Sequence, residues 1–392
     1  MPDLDAVGAF LEARHRDLAA EVAGVADVIA DLPHAADDAT ARVQSRELLA
    51  LMGQAGLYRH AFPASVGGSD DGPDFRACCL IRETLAAASP LADSVFALQC
   101  LGSTPLALAG SEELRRRVLP EVVAGRAMAA FAMTEPDAGS DVAGMGTRAE
   151  RDGNAWVLSG RKHLITNAGV ADFYCVFAVV DPQAGARGLG LFYVPADTPG
   201  LDFVAAQVLS EPHPLGEIAF DGCRVPSDHL IGEPGRGFKI GMQTLDRLRP
   251  TVAAAACGMA ARALHEALAH GTTRRQFGGT LADLPMTQQK YARMSTDLTA
   301  ARLLTYRAAY EADRGKARIT LEAAMAKSFA TEAAQRIVDD AVQILGGRGC
   351  LMDSPVDRLY RAVRALRIYE GATEVQHLVI ARQVLGAFSS PS

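Results

Sequence analysis

The stretch LEAAMAKSFATEAAQRIVDDAVQILGG, residues 321–347, limits what this chain can fold into more than any other feature. Leu321, Met325, Phe329, Ile337, Ala341 and Leu345 recur at spacings near four and eight, the repeat of one helix face, and Gly346-Gly347 end the pattern. A stripe of that kind must be buried, and long helices bury such stripes against one another. Helical periodicity runs in several successive elements from Gly237 to Gly386, which predicts an antiparallel bundle.

The rest of the chain reads differently. From about Ala6 to Val123 it is a set of helices broken by polar turns. In SRELLALMGQAGLY, Ser45 is the expected cap and Leu48, Leu49, Leu51 and Met52 make one apolar face. HAFPASVGGSDDGPDF is rich in turn formers and reads as a loop between helices. After Met133 the runs TRAERDGNAWVLSG, DFYCVFAVV, GLGLFYVP and GEIAFDGCRVP are short and β-rich, with a hairpin signal at Asp152-Gly153. A compact antiparallel β domain is expected from about Thr134 to Leu230. A chain of 392 residues exceeds what one core usually serves. The expected class is therefore α+β multidomain: an N-terminal helical domain (1–124), a middle β-barrel-like domain (125–233) and a C-terminal four-helix bundle (234–392).

Charge and cysteine usage exclude several functions. The 39 basic and 46 acidic side chains give a net charge of −7, with no long single-sign block, so nucleic acid is not an expected partner. MPDLDAVGAF is acidic and does not read as a secretory signal, and no window reaches about 18 uninterrupted apolar residues, so no membrane span is expected. The seven cysteines are scattered without CxxC spacing, which fits free thiols in a reducing cytoplasm. HEALAH sets His265 and His270 five apart, so on a helix they diverge by about 140° and cannot share a metal. No metal is expected. There is no Gly-x-Ser-x-Gly elbow and no P-loop, and GARGLG lacks the surrounding βαβ unit of a dinucleotide site.

Two polar stretches remain. FAMTEPDAGSDVAG places Thr134, Gly139 and Ser140 where the helical and β parts meet, and RKHLITNAGVADFY offers Thr166 and Asn167 on a second edge. Small groups and backbone amides of this kind can approach a flat polar ring or a phosphate, although either stretch alone reads as a polar turn.

With these residues the chain resembles the acyl-CoA dehydrogenase family over nearly its whole length. The resemblance is carried, in order, by MTEPDAGSD, LSGRKHLITNAG, FDGCRVP, GRGFKIGMQTLDRLRP, RRQFGG, QILGGRGC and RIYEGATEVQHLVIARQVLG. It implies FAD held between the domains of a homotetramer or homodimer, an acyl-CoA substrate, and an electron-transfer flavoprotein as acceptor. It also implies that Glu370, in the Tyr-Glu-Gly motif, is the base that removes an α-proton while the β-hydrogen leaves as hydride to flavin N5. Such a base must be desolvated to raise its proton affinity, and the thioester oxygen must receive hydrogen bonds as enolate character develops. The resemblance assigns those bonds to the Glu370 amide and a ribityl hydroxyl. It gives Gly371 and Tyr369 places beside the substrate. Asp246 and Arg249 shape the thioester end, and Leu248 stands where some members carry the base. For the cofactor it implies Phe131, Met133 and Thr134 along the ring, Gly139 with Ser140 near pyrophosphate and substrate, and Thr166 near N5. Arg274, Phe277, Gln343, Gly346 and Gly347 would reach the FAD of a neighbouring subunit.

Departures from the family pattern are local. Leu164 replaces an aromatic residue over the flavin, and Ala372 replaces a flavin-contacting threonine, leaving Thr373 and Glu374 as polar contacts. Pro285, Ala362 and the segment VLSEPHPLGEIAF, with Glu211 and His213, are also unusual. That last segment raises a carrier-protein-bound acyl group as a second candidate substrate. The same scaffold would also accommodate a flavin oxidase, a flavin-assisted elimination or a non-catalytic assembly subunit.

Overall fold

The computed structural model describes residues 4–389. Its first five helices are α1 (Ala13–Ala30), α2 (Asp38–Gln54), α3 (Phe75–Ala88), α4 (Pro90–Ala109) and α5 (Glu112–Val123). Side chains define several starts: Asp37 accepts from the Thr40 amide at 2.8 Å, Asp74 from Ala77 at 2.9 Å and Ser111 from Leu114 at 3.2 Å. The expectation at Ser45 is corrected. It lies inside α2, buried, with its hydroxyl donating to the Arg42 carbonyl at 2.8 Å, because Asp37 is extended and caps the helix earlier.

The β strands follow: β1 (Ala129–Ala132), β2 (Arg148–Asp152), β3 (Ala155–Thr166), β4 (Phe173–Val179), β5 (Leu189–Pro195), β6 (Leu201–Ala206) and β7 (Leu215–Pro226). The order across the sheet is β1-β4-β2-β3-β7-β6, with β5 also paired to β4. Most ladders are antiparallel; β1 runs parallel to β4, and β2 meets β4 in parallel at Arg148 and Val179. The hairpin is where expected. Asp152 pairs with Ala155, so Gly153, at φ +57°, and Asn154 form the turn.

The C-terminal elements are α6 (Gly237–Thr273), the small hairpin β8 (Arg275–Gln276) and β9 (Gly279–Thr280), α7 (Pro285–Asp313), α8 (Thr320–Leu345), α9 (Pro355–Leu366) and α10 (Thr373–Ser389). The expected N-terminal helical domain, middle β domain and C-terminal helical domain are thus all present.

Packing gathers residues up to Leu32, Asp74–Asp93 and those from Asp246 onward into one compact unit, and Pro33–Pro73 with Ser94–Leu245 into a second. In the first, small side chains of α6 and α8, such as Ala256, Ala260, Ala330 and Ala334, form the core with Met294, Leu298 and Ile337. Leu321, Met325 and Phe329 are only half-buried, because the alanine rows of α8 face the tightest contacts. A Cβ on Gly258 would lie 2.0 Å from the Glu83 carbonyl oxygen, so α3 and α6 touch backbone to side there. In the second unit, β4 alternates by the period of two: Phe173, Cys175 and Phe177 join one core with Leu114, Val118 and Leu119 of α5, while Tyr174, Val176 and Ala178 join Trp156 and Phe192 on the other face.

α4 is the one helix among the described residues long and apolar enough to cross a membrane, and 72% of its apolar window is buried inside the protein. A core helix has the same character.

One buried ion pair fixes the loop after β1. Lys162 of β3 is fully buried and donates to Glu135 Oε1 at 2.7 Å and to the Met133 carbonyl at 3.1 Å. Glu135 Oε1 also accepts from the Thr147 amide at 3.0 Å, and Oε2 accepts from the Gly146 amide at 2.5 Å. Glu135→Ala leaves the Lys162 charge without its partner and is expected to cost about 3–5 kcal/mol. Gly258→Ala forces backbone to move and is expected to cost about 1–3 kcal/mol. Thermal unfolding of the two variants against the parent checks both, and an unchanged midpoint in either removes the corresponding claim.

Candidate active site

Glu370 sits in the turn joining α9 to α10. The Ile368 and Tyr369 amides both donate to the Ala365 carbonyl, at 2.9 and 3.1 Å, which ends α9. The chain then takes two successive left-handed residues, Glu370 at φ +55° and Gly371 at φ +94°. For a glutamate that conformation costs roughly 1–3 kcal/mol, and it persists only where the surroundings impose it. Here donors from three helices impose it. Arg249 Nε of α6 donates to the Glu370 carbonyl at 3.0 Å and Lys327 Nζ of α8 donates to the Gly371 carbonyl at 2.8 Å. Gln376 Nε2 of α10 donates to both, at 3.3 and 2.9 Å. A Cβ on Gly371 would fall 2.4 Å from Gln376 Nε2, so a side chain here would displace that donor from the carbonyls it holds, in addition to the strain of the positive φ.

Asp246 and Arg249 are more than a surface ion pair. Arg249 is buried, and its Nη1 donates to Asp246 Oδ1 at 2.7 Å. Asp246 Oδ2 in turn accepts from the Thr320 hydroxyl at 2.7 Å. The pair therefore orients the guanidinium that holds the Glu370 carbonyl.

The carboxyl end of Glu370 is enclosed even though the residue as a whole is half-buried: Oε2 is shut off from solvent without a hydrogen-bond partner among the described residues. Burial raises its pKa above the usual carboxylate value, and nearby Asp93 adds to the rise. The positive charges of Arg82, Arg249 and Lys327 oppose it. Arg82, on α3, is itself buried and clamps both oxygens of Asp93 at 2.7 and 2.8 Å, while Nη1 donates to the Thr251 hydroxyl at 3.0 Å. Burial also pushes the Tyr369 phenol up, against the pull of Arg82. Arg82, Asp93, Lys327 and Gln376 are neighbours of this turn that sequence reasoning does not single out. A signal exists: Arg82 interrupts the apolar run CCLIRETLAAA and Lys327 the run AAMAKSFA, and a charge inside such a run needs a partner or a function.

Among the residues expected at the cofactor, the structure brings one set together in the β domain. Phe131 lies on β1, tilted against Phe177 at 4.9 Å between centroids, and Met133 and Thr134 continue from the strand end. The His163 amide donates to the Thr134 carbonyl at 2.9 Å, so the segment 163–166 lies alongside. A break of register in the β3–β7 ladder falls between Lys162 and Ile165, and there Leu164 takes φ +55° with half its surface exposed. Thr166 is half-buried, while Gly139 and Ser140 are exposed in the loop that Glu135 organises. These residues fit a flavin. An apolar side chain is turned outward on a strained backbone, next to a row of small polar residues, and a Cβ on Gly139 would meet nothing within 4 Å.

In the helical unit the expected cofactor residues are dispersed. Phe277 stands at the tip of the β8–β9 hairpin, 90% exposed and at φ +50°, with Arg274 exposed beside it. Gln343 is exposed on the last turn of α8, and Gly346, at φ +61°, and Gly347 both face open space. Thr373 is buried and its hydroxyl donates to Glu332 at 2.7 Å, whereas Glu374 faces solvent. His213 is half-buried, and burial lowers its pKa to about 4, opposed by Asp38, so it carries no charge at neutral pH.

Comparison with known proteins identifies the family. Three family models match in order: the acyl-CoA dehydrogenase N-terminal domain over residues 12–126, its middle domain over 130–223 and its C-terminal domain over 235–385. The chain is 40% identical over 379 residues to a probable acyl-CoA dehydrogenase, fadE25, of Mycobacterium leprae, with 96% of each chain covered. It is 39% identical over 350 residues to the cyclohexane-1-carbonyl-CoA dehydrogenase of Geobacter metallireducens, covering 89% of this chain and 91% of that one. The solved structure of butyryl-CoA dehydrogenase from Megasphaera elsdenii superposes with a TM-score of 0.88 at 32% identity, over 96% of this chain and 99% of that chain. The chain belongs to the acyl-CoA dehydrogenase family, FAD-dependent oxidoreductases that act on CH–CH groups.

Proposed function

We propose that this enzyme converts an acyl-CoA thioester to a trans-2-enoyl-CoA, with Glu370 as the α-proton base and an electron-transfer flavoprotein as the electron acceptor. The observation that carries the reading is Glu370 Oε2, shut off from solvent without a hydrogen-bond partner among the described residues, with the charges of Arg82, Arg249 and Lys327 near the carboxylate. A base for a weakly acidic C–H needs this balance. Burial raises its affinity for the proton, and the surrounding cations keep enough of it ionised to accept one.

The clamped turn serves the same step. With the Glu370 and Gly371 carbonyls held by Arg249, Gln376 and Lys327, the Glu370 amide is left without a protein acceptor among the described residues. It can donate to the thioester oxygen, stabilising the enolate character that develops as the α-proton moves to the carboxylate. Gly371 leaves room for the acyl group, and Tyr369 lines its path. Bound FAD supplies the acceptor for the β-hydrogen and its electron pair. Phe131, Met133, Thr134, Gly139, Ser140, Leu164 and Thr166 are assigned to the cofactor, with Thr373 and Glu374 as further contacts. Arg274, Phe277, Gln343, Gly346 and Gly347 are assigned to the FAD of a second copy of the chain. An aromatic ring 90% exposed at a hairpin tip, with an arginine beside it, supports that assignment. Domain divisions after residues 124 and 233 belong to the same proposal, supported by where the three family matches break.

The thioester partner is read as CoA rather than a carrier protein, since the relative from Geobacter metallireducens is named for a CoA ester. His213, uncharged at neutral pH, offers no new cation for a phosphopantetheine phosphate.

Mixing the enzyme with acyl-CoA esters under anaerobic conditions is expected to bleach the flavin absorbance, and Glu370→Gln to slow that bleaching by about 10²–10⁴-fold. The rate in the parent should rise with pH through a pKa above the ordinary carboxylate range, because only ionised Glu370 accepts the proton and burial raises its pKa. Retained bleaching in Glu370→Gln would remove the base assignment. Bleaching by carrier-bound but not CoA-bound acyl chains would replace the substrate. The double variant Arg274→Ala, Phe277→Ala is expected to retain less FAD after gel filtration, and parent-like flavin content would sink the cross-subunit contact.

A further inference from the structure

We infer that Lys327 is a positioning residue for the proton transfer, holding the Glu370–Gly371 turn by the Gly371 carbonyl while presenting its positive charge to the Glu370 carboxylate. The inference rests on reading Glu370 as the base. Lys327 lies in the middle of α8, is 0% exposed, and has buried Ala326 and Ala330 as near neighbours on the helix. Its Nζ donates at 2.8 Å to a neutral acceptor, the Gly371 carbonyl. No carboxylate lies within ion-pair distance of it among the described residues.

A buried ammonium in that state is costly, because desolvation takes several kcal/mol per ion and an ion pair is the usual compensation. An apolar residue such as methionine or leucine would suit a purely structural place in the α8 core far better. The position makes sense through what Lys327 faces. Glu370 lies in the turn, Arg249 on α6, Glu332 on α8 and Glu374 on α10, and Glu370 is faced in addition by Arg82 on α3 and by Asp93. Of the cations around Glu370, Arg82 is neutralised by both oxygens of Asp93 and Arg249 is paired to Asp246. Lys327 is the one of the three without a paired carboxylate among the described residues.

The consequence is pH-dependent. Burial lowers the Lys327 pKa to about 8, with Glu370 opposing the fall and Arg249 adding to it. Below that pH the ammonium is charged and favours the ionised base. As pH rises past it the charge is lost, so activity should fall again on the alkaline side.

The test is steady-state kinetics across pH on the FAD-loaded parent, Lys327→Met, Lys327→Gln and Glu370→Gln, with flavin spectra and thermal midpoints to check folding. Lys327→Met loses both hydrogen bond and charge and is expected to lower kcat by about 100-fold with little change in KM, as for a misplaced catalytic group. Its acid limb should move to higher pH and its alkaline limb disappear. Lys327→Gln, which keeps a donor for Gly371, should recover much of kcat while retaining the shifted acid limb. Should Lys327→Met fail to fold, the limbs of Lys327→Gln decide the matter. Parent-like pH limbs in every Lys327 variant that folds, with Glu370→Gln inactive, would overturn this inference and leave the base assignment standing. An active Glu370→Gln would overturn the base assignment itself.

Discussion

Taking a charge out of water costs several kcal/mol, and the helical unit of this enzyme is arranged around meeting that cost near one carboxylate. Arg82 is closed by Asp93, Arg302 of α7 donates to Glu83 at 2.7 Å, and the Tyr306 hydroxyl donates to the same carboxylate at 2.8 Å. Each of these groups is buried, and each has its partner on a different helix or turn. Glu370 Oε2 is treated differently: it is enclosed, unpaired among the described residues and surrounded by cations that are themselves held elsewhere. The same expense that is offset around it is left standing on the group proposed as the base.

Such an arrangement needs helices that approach closely. The alanine rows of α6 and α8, and the contact of Gly258 with the Glu83 carbonyl, bring α3, α6 and α8 near enough for short side chains and backbone to meet. The long side chains of Arg82, Arg302 and Lys327 lie buried in a unit whose core is rich in alanine. A bulkier core would push these helices apart and lengthen the hydrogen bonds by which Arg249 and Lys327 hold the turn.

The β domain applies the same rule to a loop. Lys162 and Glu135 are buried as a pair, and the spare acceptor capacity of Glu135 is taken by the Gly146 and Thr147 amides. The segment 133–147, where four of the expected cofactor residues lie, is thus fixed by a pair that reaches it from a neighbouring strand. A bulge in that strand turns Leu164 outward at the same end. Positive φ at Leu164, Asn167, Phe277 and Glu370 concentrates backbone strain at or beside residues assigned to cofactor or substrate, as expected where surroundings, rather than local preference, set the conformation.

The sequence by itself determined the order of helical and β parts, the β2–β3 hairpin, the end of α8 at Gly346 and, through the Tyr-Glu-Gly motif, the identity of Glu370 as the residue to examine. These are local properties: periodicity, turn chemistry and a short motif survive without knowledge of what lies opposite. Ser45 misleads because a serine before an apolar run looks like a cap whether or not an aspartate earlier in the chain has already started the helix. Only the tertiary structure decided which charges meet. Arg249 and Glu370 are 121 residues apart and Lys327 and Gly371 are 44 apart, and nothing in local propensity pairs them. A lone lysine in an alanine-rich helix announces that a partner exists, but its identity depends on how α6, α8 and the α9–α10 turn pack, which is a property of the whole core.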